Sequence, residues 1–127
     1  MGTSVLLSIK PEFANRIFHG LKRYEFRKIL FKNRNVNKIV VYASSPISKV
    51  IGEFEIEAIL ELEKERLWEQ TKEYSGIQKN YFDHYFQNRN TGYAIKIRCP
   101  KLYETPLDLK QSFDIEYPPQ SFMYLAT

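Results

Sequence analysis

The sequence predicts an α+β domain, a small mixed β-barrel with peripheral α-helices. Three observations predict it. Short apolar strands recur along the chain, helical stretches interrupt them, and no regular βαβ alternation connects them, which argues against a doubly wound sheet. With 127 residues, one domain over 1–127 with a substantial core is expected. Hydrophobic residues make up 43% and charged residues 27%, which are globular values.

Residues 5–9 read as the first strand, short and apolar, with β-branched residues at both ends. Pro11 suits the first turn of a helix, where its missing N–H is no loss. Phe13, Ala14, Ile17 and Phe18 then form one apolar helical face. Gly20 ends that helix, because glycine takes the left-handed conformation without steric cost. His19 sits just before it, where an imidazolium meets the helix dipole favourably. A strand over 23–27 follows, then a polar loop over 31–37.

Residues 38–43 carry a continuous apolar run, the sign of a strand buried on both faces. Residues 49–60 alternate Phe54, Ile56, Ala58 and Leu60 with Glu53, Glu55 and Glu57, so the glutamates read as a solvent face. Gly52 marks a bulge that bends this strand. Residues 65–74 and 78–87 are predicted helices, separated by Ser75-Gly76. In the second, Tyr81, Phe82, Tyr85 and Phe86 define a core-facing side, with a base-stacking platform as the alternative. Residues 93–99 alternate as a strand. Pro100, Pro106, Pro118 and Pro119 then make the rest extended and irregular, before a last strand over 122–125.

The chemistry concentrates in Gly20-Leu21-Lys22-Arg23-Tyr24-Glu25-Phe26-Arg27, a G-x-K-x-x-E-x-R skeleton at the helix-to-strand transition. In a regular strand Arg23, Glu25 and Arg27 share a face, and Lys22 bends towards it from the turn. Neighbouring cations Arg23, Arg27 and Lys10 disfavour a further positive charge, so a partly buried Lys22 is expected to lose its proton more readily, with Glu25 opposing the effect. Lys22 then fits a nucleophile, a base, or an ammonium that recognises phosphate or a base carbonyl. Arg27 fits a phosphate fork or a pin for Glu25. Ser44 and Ser45, before Pro46, offer hydroxyls and backbone N–H groups, and Gln120 and Ser121 are placed to close the far side of a cleft.

This skeleton resembles the signature of the ASCH (activating signal cointegrator homology) family, a branch of the PUA-like superfamily. Gly20, Lys22, Glu25 and Arg27 match its defining positions. Ser8-Ile9-Lys10-Pro11, Tyr42-Ala43-Ser44-Ser45-Pro46 and Pro118-Pro119-Gln120-Ser121-Phe122 extend the resemblance over nearly the whole chain. It implies a PUA-like barrel with a polar cleft suited to RNA or nucleosides, lined by Lys10, Lys22, Glu25 and Arg27 and helped by Tyr42, Ser44 and Ser45. Some relatives hydrolyse the acetyl amide of acetylated cytidine with a lysine, a threonine three residues on, and a later glutamate. Lys22 matches the lysine. Glu25 stands at the threonine position, and no carboxylate falls in register near 74–76, although Glu73 is close. Other relatives are thought to bind or cleave RNA, for which Lys22 and Glu25 are the local acid/base pair.

The expected partner is therefore RNA or a modified nucleoside, single-stranded because exposed bases enter a pocket. A small hydrolase using Lys22 and Glu25 is one alternative, and a protein-interaction module is another. The net charge of +4 permits an anionic partner, and the positive charge is concentrated in residues 10–38. No metal or other cofactor is expected: His19 and His84 stand on separate helices and Cys99 has no cysteine neighbour. One cysteine, no signal-like leader and no membrane-length apolar run together suggest a cytoplasmic protein with no membrane partner.

Overall fold

The computed structural model describes residues 3–125. Six strands form one mixed sheet: β1 (Thr3–Ile9), β2 (Tyr24–Arg27), β3 (Val36–Ala43), β4 (Lys49–Glu63), β5 (Thr91–Leu107) and β6 (Phe122–Leu125), in the order β2-β5-β4-β3-β1-β6. Only β1 and β3 run parallel, and the crossover between them carries α1 (Pro11–Phe18). The long hairpin β4–β5 encloses α2 (Lys64–Thr71), a 3-10 turn (Lys72–Tyr74) and α3 (Lys79–Tyr85). A short α4 (Leu109–Phe113) precedes β6.

The architecture is the expected α+β one, with a refinement. The hydrogen-bonded ladder does not close into a barrel, since β2 and β6 remain edges. Side chains bridge the seam instead. Arg27 at the end of β2 donates to the Ser8 carbonyl on β1 and to Ser121 beside β6, and Phe31 packs edge-on against Phe122 at 5.9 Å.

Alternation along β3 divides the core. Ile39, Val41 and Ala43 face one cluster with Val5, Leu7, Ile9, Ala14 and Ile17, while Val40 and Tyr42 face a second with Leu6, Val50 and Leu109. A third cluster joins Phe26 to Leu67, Phe82 and Phe86. The prolines after residue 99 do not end β5. The register shifts between Glu53 and Glu55 of β4, opposite Cys99 and Pro100, and Cys99 adopts φ 52°. A bulge absorbs the proline that a regular ladder would reject, so β5 runs on to Leu107. The sheet also shifts register at Gly52, where an added Cβ would lie 2.6 Å from the Lys101 carbonyl. The α4 helix was not expected; Asp108 caps it by accepting from the Gln111 N–H. No helix among the described residues is long and apolar enough to cross a membrane.

Candidate nucleic-acid site

A cavity of about 360 Å³ opens between α1, β2, α3 and the ends of β1 and β3. Ser8, Lys10, Lys22, Glu25, Arg27, Ser44 and Gln120 supply its polar lining, and Phe13, Phe26, Tyr81 and Tyr85 its aromatic walls.

Local backbone geometry turns Lys22 inward. Gly20 adopts φ 80°, and the N–H groups of Leu21 and Lys22 both donate to the Arg16 carbonyl. Lys22 is 2% exposed. Its Nζ donates to the Ser75 carbonyl at 2.9 Å and lies 4.7 Å from the Phe26 ring centre. Three successive carbonyls receive this segment: Tyr74 from the Arg23 N–H, Ser75 from Lys22 Nζ, and Gly76 from the Arg16 guanidinium. Gly76 is the close approach in this clasp, with φ 71°, and an added Cβ would sit 2.9 Å from Lys22 Cα. Burial pushes the Lys22 amine down to about 8; Glu25 opposes the shift and Arg16 adds to it. The expected direction holds, but the cause is mainly desolvation, and the contributing cation is Arg16 rather than Arg23, Arg27 or Lys10.

Glu25 is 5% exposed. Its Oε2 accepts from Arg27 at 3.1 Å, and among the described residues Oε1 accepts no hydrogen bond. Arg27 spends its guanidinium on Glu25, the Ser8 carbonyl, and the Ser121 carbonyl and hydroxyl, the last at 2.7 Å. It is a pin for the carboxylate and the seam, not an open fork.

The structure therefore brings Lys10, Lys22, Glu25, Arg27, Ser44 and Gln120 to one cavity. Ser121 stands behind Arg27 as its anchor. Tyr42 and Ser45 are not brought there. Tyr42 alternates with Val41 and Ala43 on β3 and is buried in the second cluster. Ser45 is exposed in the turn after β3 and contributes nothing to the lining. Arg23 precedes β2, so it does not join Glu25 and Arg27; its guanidinium rests 4.1 Å from the Tyr74 ring centre. Glu73 is exposed, and Glu25 is the only carboxylate among the described lining residues, so the three-residue amidohydrolase arrangement is not assembled.

The α3 helix divides its aromatic side chains between the core and the cavity. Phe82 and Phe86 are buried in the third cluster, while Tyr81 and Tyr85, half-buried, line the cavity. The sequence signal lay in the residue types: at i and i+4 the two tyrosines keep a polar tip that a core position would have to satisfy. Phe13 and Ile77 also line the cavity and read from sequence only as apolar.

A family model described as the ASCH domain matches residues 7–101. The chain belongs to the ASCH domain family. Its α+β fold is that of solved ASCH structures: the crystal structure of ASCH from Zymomonas mobilis superposes with a TM-score of 0.85 at 28% identity, covering 97% of this chain and 87% of that one. An ASCH domain-containing ribonuclease of the same organism is 29% identical over 94% of this chain and 82% of its own length. The large ribosomal subunit protein uL22 of Ureaplasma parvum serovar 3 is 27% identical over 96% of this chain, which spans only 39% of that protein.

Proposed function

We propose that this ASCH domain binds single-stranded RNA by taking one base into the cavity between Lys22 and Glu25. The observation that carries this reading is a buried amine and a buried carboxylate with a free oxygen, together in a cavity of ligand size walled by Phe13, Tyr81 and Tyr85. Glu25, held by Arg27, accepts from a base N–H; Lys22 donates to a base carbonyl or ring nitrogen. The rings sandwich or flank the base, and Lys10 at the rim meets the phosphate.

A second reading, RNA cleavage, is favoured by the titration of Lys22 near 8 and by the relative named as a ribonuclease. A general base works best with a pKa near the operating pH. The neutral amine takes the proton of a ribose 2′-hydroxyl, and the 2′-oxygen attacks the adjacent phosphorus. The bond to the next 5′-oxygen breaks, water protonates that oxygen, and a 2′,3′-cyclic phosphate remains.

Fluorescence anisotropy of a labelled single-stranded pentanucleotide, at two salt concentrations, tests the first reading, and a denaturing gel of the same samples tests the second. Wild type is expected to bind more weakly at high salt. Lys22→Ala is expected to lose at least tenfold in affinity and to form no product. Lys22→Ala binding as tightly as wild type would exclude the cavity as the RNA site.

A further inference from the structure

We infer that the cation–aromatic pairs Lys10–Tyr81 and Lys28–Tyr85 at the cavity mouth are subsites for the nucleotides flanking the one in the cavity, an inference that rests on the RNA reading above. The pairing of charges across the molecule motivates it. Residues 10–34 carry eight of the 19 lysines and arginines, and among the described residues only Arg27 of these lies within ion-pair distance of a carboxylate. Beyond residue 34, seven of eleven are so paired. Among the described residues, every cation close to an aromatic ring comes from residues 10–34.

Lys10 Nζ lies 5.7 Å from the Tyr81 ring centre and Lys28 Nζ 4.9 Å from that of Tyr85. The two rings stand nearly parallel, 11° apart, with centres separated by 6.4 Å, one helical turn along α3. Both also line the cavity. An ammonium over a ring keeps its full positive charge, whereas a carboxylate partner would cancel it. Lys28 lies against the Tyr85 ring, whereas Lys10 reaches the Tyr81 hydroxyl at 3.5 Å and so sits at that ring's edge. Each pair therefore holds a cation ready for phosphate beside an aromatic ring ready for a base. When Lys28 moves to the phosphate, the Tyr85 ring becomes free for stacking, and Tyr81 stacks without Lys10 having to leave its face. The charge pattern favours a flexible polyanion with aromatic bases over a protein partner, whose carboxylates would use the cations and leave the rings bare.

Anisotropy titrations of a labelled pentanucleotide and NMR titrations of a mononucleotide, across a salt series, test this with Lys28→Ala, Tyr85→Leu, Tyr85→Phe and Lys22→Ala. For the pentanucleotide, Lys28→Ala is expected to reduce the slope of log K against log salt by about 0.7. Tyr85→Leu is expected to weaken binding roughly tenfold with an unchanged slope, and Tyr85→Phe to bind like wild type. Lys28→Ala should leave mononucleotide binding unchanged. Wild-type affinity and slope in both Lys28→Ala and Tyr85→Leu would overturn the subsites even if Lys22→Ala abolishes binding. Equal losses in Tyr85→Phe and Tyr85→Leu would remove stacking from the proposal. Unchanged binding in Lys22→Ala, with losses in Lys28→Ala, would overturn the cavity reading and with it the flanking role.

Discussion

The cavity face and the outer face of the β4–β5 hairpin use the same cationic side chains against different neighbours. On the hairpin, Lys96 meets Glu57 at 2.8 Å and Arg98 meets Glu55 at 3.0 Å. These are largely exposed pairs, and exposed pairs contribute little to stability. They neutralise one another and keep a strand face polar. Around the cavity the cations lie over rings or under the surface, and the ion pair Arg27–Glu25 has side chains only 11% and 7% exposed. Charge there is either left free or held out of water at a cost. The formal charge of +4 thus describes neither face: one is nearly self-cancelled and the other carries the field.

Gly76→Ala should break the contrast most severely. The new methyl meets Lys22 Cβ and Cγ, on a backbone at φ 71°. A loss of about 2–4 kcal/mol is expected in urea unfolding, together with loss of RNA binding, because the clasp can no longer close over Lys22. An unfolding midpoint equal to wild type would show that the 74–76 carbonyls do not fix this side chain.

Lys22→Met should move stability the other way. The amine has a lower pKa when folded, about 8, than in the unfolded chain, near 10.4. Between those values the unfolded state binds more protons, so wild-type stability rises with pH over that window, and below about 8 the cost of burying the ammonium is fully present. Methionine removes that cost. A gain of roughly 1–2 kcal/mol is expected at pH 7 and should shrink towards pH 10, as followed by urea unfolding at both values. A gain that is the same at the two pH values would mean that Lys22 is not the titrating group.

On the outer face, Glu57→Gln removes the partner of Lys96 in an exposed pair. Its unfolding midpoint and RNA affinity should match wild type. A measurable rise in RNA affinity would mean that the hairpin face also meets the ligand once its charge is released, and the two faces would no longer be distinct.

Much of this molecule was legible in its sequence. Gly20 predicted its own positive φ, and the apolar face of α1 predicted burial directly, because each depends on neighbours a few residues apart. The alternation of β4 holds only to Ile56: a register shift between Ile56 and Ala58 leaves Ala58 exposed, sets Ile59 beside Ile56 in the first cluster and sends Leu60 to the third. The placement of Lys22 and Glu25 together was legible as a motif. The run of β5 through Pro100 was not, since the bulge that accommodates the proline depends on a partner strand more than forty residues away. Tyr42 and Tyr81 show the same limit from opposite sides. Tyr42, in a polar motif, reads as a cleft residue and Tyr81, at helical apolar spacing, as a core-facing one, yet Tyr42 is buried in the second cluster and Tyr81 walls the cavity.

The sequence by itself determined most of the elements, the buried faces of the regular ones and the cluster of charge in the first third, because helix and strand periods and glycine conformations are local properties of the chain. Tertiary structure alone decided which cations meet carboxylates, which meet rings, and which lose water. Those outcomes depend on residues distant in sequence: Lys22 owes its lowered pKa largely to burial beneath a turn some fifty residues away, and a charge responds to whatever the fold packs around it.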